Sequence, residues 1–202
     1  MKINHALDQI SSIHDHLNRT EVYRGFRSLH VAFAGLIGCL AAALQPVFLG
    51  DVFPYLHFVY YWSLVACGNF LLVALFALYL YIFHESDLER RKTRYVWAQF
   101  SPCIVIGLLL TLSLAPLDYK TLSLLPGFWA FILSLGVFST CPFLPRMSRW
   151  IALYYLLCGF VLLALAQKGL AFSPWGMGIT FGFGLILGAV VLYIHLERKD
   201  YV

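Results

Sequence analysis

The side chains of this chain most able to bind a metal are its seven histidines and five cysteines, so their spacing decides whether they do. His30, His84 and His195 sit where long apolar runs meet charged flanks, and His57 lies at the opposite end of the second run. Two facing imidazoles could ligate a haem iron. Such ligands are ordinarily embedded deeper, beside glycines that admit the macrocycle. These three stand next to charged residues, at a boundary where an imidazole tolerates both environments. No cofactor is therefore expected, with haem through His30, His84 and His195 as the minor alternative. Cys39, Cys67, Cys103, Cys141 and Cys158 occur singly inside apolar runs with no Cys-x-x-Cys, which points to neither a disulfide framework nor zinc. As small apolar residues they suit helix packing.

A second set of polar residues shares one depth. Gln99, Ser101 and Cys103 lie near the start of the third apolar run, with Pro102 among them. Ser139, Thr140 and Cys141 lie near the end of the fourth, followed by Pro142. A helical proline frees a carbonyl one turn earlier, and irregular polar backbone at membrane depth must be buried in protein or line a cavity. Gln99, Ser101, Cys103, Ser139, Thr140 and Cys141 are thus the candidate pocket, and a kinked helix interface satisfied by hydroxyls is the alternative. Asn69, in the middle of the second run, reads as an interhelical hydrogen bond. There is no Gly-x-Ser-x-Gly, His-Glu-x-x-His, Walker loop or dinucleotide fingerprint. No ionisable residue lies well inside a run, as ion-coupled transport usually requires. The expectation is a non-enzymatic protein.

The elements that carry these residues follow from composition. The chain has 202 residues, 61% of them hydrophobic and 12% charged, against about 25% charged in a soluble domain. The apolar runs cover roughly 29–50, 56–83, 96–116, 121–144, 150–168 and 173–195. Each approaches the roughly 20 residues a helix needs to cross a bilayer. Lipid leaves no partner for an open sheet's backbone, so the runs must be helices. The fold class is an all-α polytopic bundle of six transmembrane spans, preceded by a short amphipathic helix. The domains are 1–27, a cytoplasmic arm, and 28–202, the membrane domain.

The net charge of +4 does not indicate nucleic acid. All basic residues except Lys120 and Lys168 fall before the first run, between the second and third, between the fourth and fifth, or after the sixth. By the positive-inside rule those segments, and both termini, are cytoplasmic, which suits a bacterial inner (plasma) membrane. A cleaved signal peptide is not expected, because a long region with Asp8, Asp15 and Glu21 precedes the first run. The run from His84 to Lys92, acids before bases, could continue the second span as a solvated helix.

Two features suggest association. In the arm, Ile3, Leu7, Ile10 and Leu17 recur at helical spacing, and Lys2 and Arg19 are balanced by Asp8 and Asp15. A helix for anionic lipid is usually richer in base, so this one is expected to pack against protein: its own cytoplasmic loops, another copy or a separate subunit. In the sixth run, Gly178 and Gly182 form one Gly-xxx-Gly pair and Gly184 and Gly188 another, which lets backbones approach closely in lipid. Phe100-Ser101-Pro102 and Phe172-Ser173-Pro174 open two runs from opposite faces, as inverted halves would, although Ser-Pro is a generic helix opening and coincidence is the leading account of the echo.

An amphipathic arm followed by six spans with both ends inside resembles, in topology alone, the membrane subunit of an ABC-2-type exporter. That resemblance implies an arm that contacts an ATPase. The leading expectation is a membrane subunit of a homo- or hetero-oligomeric assembly whose N-terminal helix docks a partner. The alternatives are a passive channel or permease for a small neutral solute, and a haem-binding electron-transfer subunit.

Overall fold

The structure, a computed structural model, describes residues 28–50, 54–85 and 87–197. The arm with Ile3, Leu7, Ile10 and Leu17 lies outside the described residues. Six helices are long and apolar enough to cross a membrane. They are α1 (Ser28–Leu49), α2 (Tyr55–Phe83), α3 (Glu89–Leu114), α4 (Tyr119–Thr140), α5 (Ser148–Gln167) and α6 (Pro174–His195). Among the described residues, all regular structure is helical.

Glycine and proline set the helix ends. Gly50 and Gly169 have positive φ (73° and 75°) and follow α1 and α5. After α5 the Leu170 N–H bonds back to the Leu165 carbonyl at 2.9 Å and Gly169 N–H to Ala166 at 3.1 Å, the pairing that closes a helix around a left-handed residue. Pro174 opens α6 in its first turn, where its missing N–H leaves no hydrogen bond unmade. Asp118 precedes α4 and accepts the Thr121 hydroxyl at 2.8 Å, a bond that holds its carboxyl below the usual range.

Three expectations change here. The charged run after α2 does not prolong that helix. His84 and Glu85 both bond back to the Leu80 carbonyl and end it, and regular helix resumes at Asp87, leading directly into the α3 span. Acids ahead of bases suit a helix N-terminus, whose dipole favours negative charge. Pro142 kinks nothing, because α4 has already ended at Thr140. The two Ser-Pro pairs also play different parts: Pro102 is inside α3 and Pro174 begins α6.

Neighbours run in the order α2, α1, α6, α5, α4, α3. At the end opposite the basic loops this series closes on itself. Ala41 and Ala42 of α1, Phe58, Val59 and Trp62 of α2, Leu122 and Leu125 of α4 and Met177 of α6 form one buried cluster, and Leu110 and Leu114 of α3 pack against it. α2 and α3 are the least covered of the six helices. Only 6% of the most apolar stretch of each is buried within the chain, against 22% to 44% in the other four.

Candidate functional site

The tightest contact in the bundle is a seam of small residues between α1 and α6. A Cβ added to Gly182 would lie 2.7 Å from the Cys39 backbone nitrogen and 2.6 Å from its sulfur. At Gly178 it would meet the Ala42 methyl at 2.7 Å. From α1, a Cβ on Gly38 would lie 3.0 Å from the Gly182 Cα, and one on Gly35 2.8 Å from the Gly182 carbonyl oxygen. Gly35, Gly38 and Ala42 thus face Gly178 and Gly182, with small residues on both sides. Lipid gives helices no hydrophobic reason to associate, so dispersion at such close backbone contact is what holds the pair.

The second glycine pair behaves differently. Gly184 faces α5, where a Cβ would lie 2.8 Å from the Tyr155 hydroxyl, and Gly188 has room, its nearest neighbour being Ile151 at 4.0 Å. Two residues apart on a helix, Gly182 and Gly184 already point to opposite sides, and a π-helical stretch at Gly178–Phe183 within α6 modifies the angle between them. A π turn holds more residues than an α turn, so it rotates the later part of the helix relative to the earlier part. Gly178 and Gly182 stay on the α1 side while Gly184 turns toward α5. The Ile179 carbonyl within the stretch accepts the Tyr154 hydroxyl from α5 at 2.6 Å. The neighbouring Tyr155 is 1% exposed, and its hydroxyl has no hydrogen-bond partner among the described residues.

The expected pocket residues do lie where α3 meets α4. The Ser139 hydroxyl donates to the Gln99 carbonyl at 3.3 Å and to Gly136 at 2.8 Å. Ser101 donates to the Ala98 carbonyl at 3.3 Å, the group that Pro102 leaves without its helical donor. Thr140 is buried and donates to Gly136 and Val137 at 3.2 Å and 3.0 Å. Gln99 and Ser101 are exposed, Cys103 and Cys141 half-buried. A Cβ on Gly136 would meet the Phe100 ring at 2.7 Å and the Cys103 Cβ at 3.4 Å. The arrangement is a close helix interface whose hydroxyls satisfy backbone carbonyls. A cavity of about 320 Å³ lies between α2 and α3, lined by Ala74, Leu78, Tyr81, Thr93, Arg94 and Trp97.

The histidines have separate surroundings. His30 stacks on Phe76, and His84 lies 5.3 Å from the Tyr79 ring centroid. His195 directs Nδ1 at the Val191 carbonyl, 3.0 Å away on its own helix. Among the described residues no group of three His, Cys, Asp or Glu side chains could hold a metal ion. Asn69 donates Nδ2 to the Ala34 carbonyl of α1 at 3.2 Å.

One polar centre was missed from the sequence. Gln45 is 2% exposed, accepts the Trp62 indole N–H at 2.9 Å and donates to the Phe172 carbonyl at 3.0 Å. Beside it the Tyr61 hydroxyl donates to the Ala41 carbonyl at 2.6 Å. This centre ties α1, α2 and the chain entering α6 together. The available signal was a glutamine inside an apolar run, directly before Pro46. Comparison with protein-family models, with curated proteins and with solved structures gives no match, so the role of this chain must be argued from its own geometry.

Proposed function

We propose that this protein is a non-enzymatic integral membrane subunit that works in an assembly, with both termini on the cytoplasmic side of a bacterial inner membrane. The observation that carries this reading is the uneven burial of the helices. Four of them are drawn together through α1, α6, α5 and α4, while α2 and α3 leave nearly all of their apolar stretch outside. Lipid alone would cover that surface, but α2 also exposes Ala66, Cys67 and Gly68 near its middle, and among the described residues nothing lies within 4 Å of a Cβ placed on Gly68. Small residues at mid-depth are where another transmembrane helix approaches closely. The amphipathic stripe of the arm supports a second contact outside the membrane, with a protein partner or another copy.

Extraction in mild detergent followed by mass measurement of the protein and everything that accompanies it tests the reading. A Cβ at Gly68 meets no atom of the described residues within 4 Å, so Gly68→Leu should leave the fold intact and reduce the complex. Removing residues 1–18 should release a partner bound through the arm. A single-chain mass in mild detergent, or a complex unchanged by both alterations, would refute it.

A further inference from the structure

We infer that the cleft between α2 and α3 at the basic end is a binding site for an anionic phospholipid of the surrounding bilayer. The site does not require assembly and would serve a lone chain equally. Ala74, Leu78 and Tyr81 recur at intervals of four and three, so they form one face of α2 over about 10 Å of rise. Thr93, Arg94 and Trp97 answer them from α3. The volume of this open cleft, about 320 Å³, falls at the small end of the range for ligand sites. One end is closed by Phe70 and Trp97, edge to face at 6.0 Å.

The other end is braced across the two helices. Arg90 donates Nε to the Tyr81 carbonyl at 3.0 Å and Nη2 to the Ile82 carbonyl at 3.1 Å. Its guanidinium also lies 5.6 Å from the Tyr81 ring centroid. Glu85 accepts the Thr93 hydroxyl through both oxygens, at 2.8 Å and 2.7 Å. These groups hold the helices at a set separation without filling the space between them.

Arg94 is left in a different position. It lines the cleft, is exposed, and has no hydrogen-bond or ion-pair partner among the described residues. It lies a turn deeper into α3 than Arg90, where the apolar lining begins. Arg91 and Lys92 add positive charge on the same turns of α3, and Glu85 and Glu89 are the described carboxylates near it in the chain. An apolar slot at bilayer depth with a guanidinium at its rim matches an acyl chain below a phosphate. A guanidinium fork is well shaped for phosphate oxygens. Basic pockets between helices at the cytoplasmic side are where anionic headgroups collect. An empty slot would forfeit dispersion contacts on both walls, which a lipid chain restores.

The test uses the full chain in nonionic detergent, titrated with mixed micelles of phosphatidylglycerol or of phosphatidylcholine, reading native-mass lipid adducts and thermal stability. Phosphatidylglycerol should bind and stabilise more than phosphatidylcholine. Arg94→Gln should weaken phosphatidylglycerol binding about fivefold, the effect of about one surface cation. Ala74→Phe should block it by occupying the slot, and Arg146→Gln, a basic residue away from the cleft, should leave it unchanged. Equal binding of the two lipids, or equal effects of Arg94→Gln and Arg146→Gln, would overturn the inference. If Ala74→Phe fails to fold, the two arginine variants still decide it.

Discussion

Replacing Gly182 with alanine adds one methyl group where α1 and α6 are closest, and the outcome can be worked from the contacts. The added carbon would stand 2.7 Å from the Cys39 backbone nitrogen and 3.1 Å from its Cα, whereas carbon atoms rest at about 3.5–4.0 Å. Backbone cannot rotate aside as a side chain can, so the two helices must part by about 1 Å at the crossing. Forcing an extra methyl into such a contact costs about 1–3 kcal/mol. The substitution also gains about 1 kcal/mol of helix propensity. Gly188→Ala gains the same propensity in the same helix and meets only Ile151 at 4.0 Å. Subtracting one variant from the other cancels propensity and isolates the clash. Gly182→Ala should therefore be less stable than Gly188→Ala by about 1–3 kcal/mol, and Gly182→Leu worse still. In a thermal melt in mild detergent, at about 2–4 °C per kcal/mol for a chain of this size, the gap is about 2–12 °C. A Gly182→Ala protein as stable as Gly188→Ala would show that the seam does not hold the bundle, and the packing argument would fail.

Other substitutions separate satisfied from unsatisfied polar groups. Tyr154→Phe removes the donor to the Ile179 carbonyl and should destabilise by about 1–2 kcal/mol, whereas Tyr155→Phe removes a buried hydroxyl with no described partner and should be neutral or stabilising in the same melt. Gln45→Leu orphans the Trp62 indole and the Phe172 carbonyl; it should cost about 1–3 kcal/mol, and a cycle with Trp62→Phe should show coupling because the two share a bond. If the α3–α4 contact is only a helix interface, replacing Gln99 or Thr140 with leucine should leave solute flux in proteoliposomes unchanged, and an altered flux would support the permease reading.

The six spans were legible because lipid removes choices. An apolar run of twenty residues can satisfy its backbone only as a helix, and expected and observed limits differ by a few residues except at α3. There the apolar run begins near Val96, but regular helix starts at Asp87, because charged residues at a membrane boundary continue a helix as readily as apolar ones. Which helices touch was not legible. Helices in lipid are apolar all round, so periodicity that would reveal a buried face in water is nearly absent. Small residues carry that information instead: Gly178 and Gly182 could be picked out, and their partners Gly35, Gly38 and Ala42, at spacings of three and four, were an available signal.

The π stretch is the feature least open to reading from residue order. Even on a continuous α-helix, at about 100° per residue, Gly184 and Gly188 would stand about 160° and about 120° round from Gly182, so the second pair could not share the face of the first. The wider turn at Gly178–Phe183 adjusts that angle, and the first pair meets α1 while Gly184 meets α5. A lone π turn loses regular hydrogen bonding and needs outside help, which Tyr154 supplies from α5. That bond links the two contacts: α5 secures the turn, and the turn presents Gly182 to α1. If this dependence is real, Tyr154→Phe and Gly182→Ala should not add. Once the phenol is lost and α6 is free to change register, the second substitution should cost less than it does in the native chain. Full additivity in a double-mutant cycle would mean the two contacts are independent and the tyrosine merely fills space.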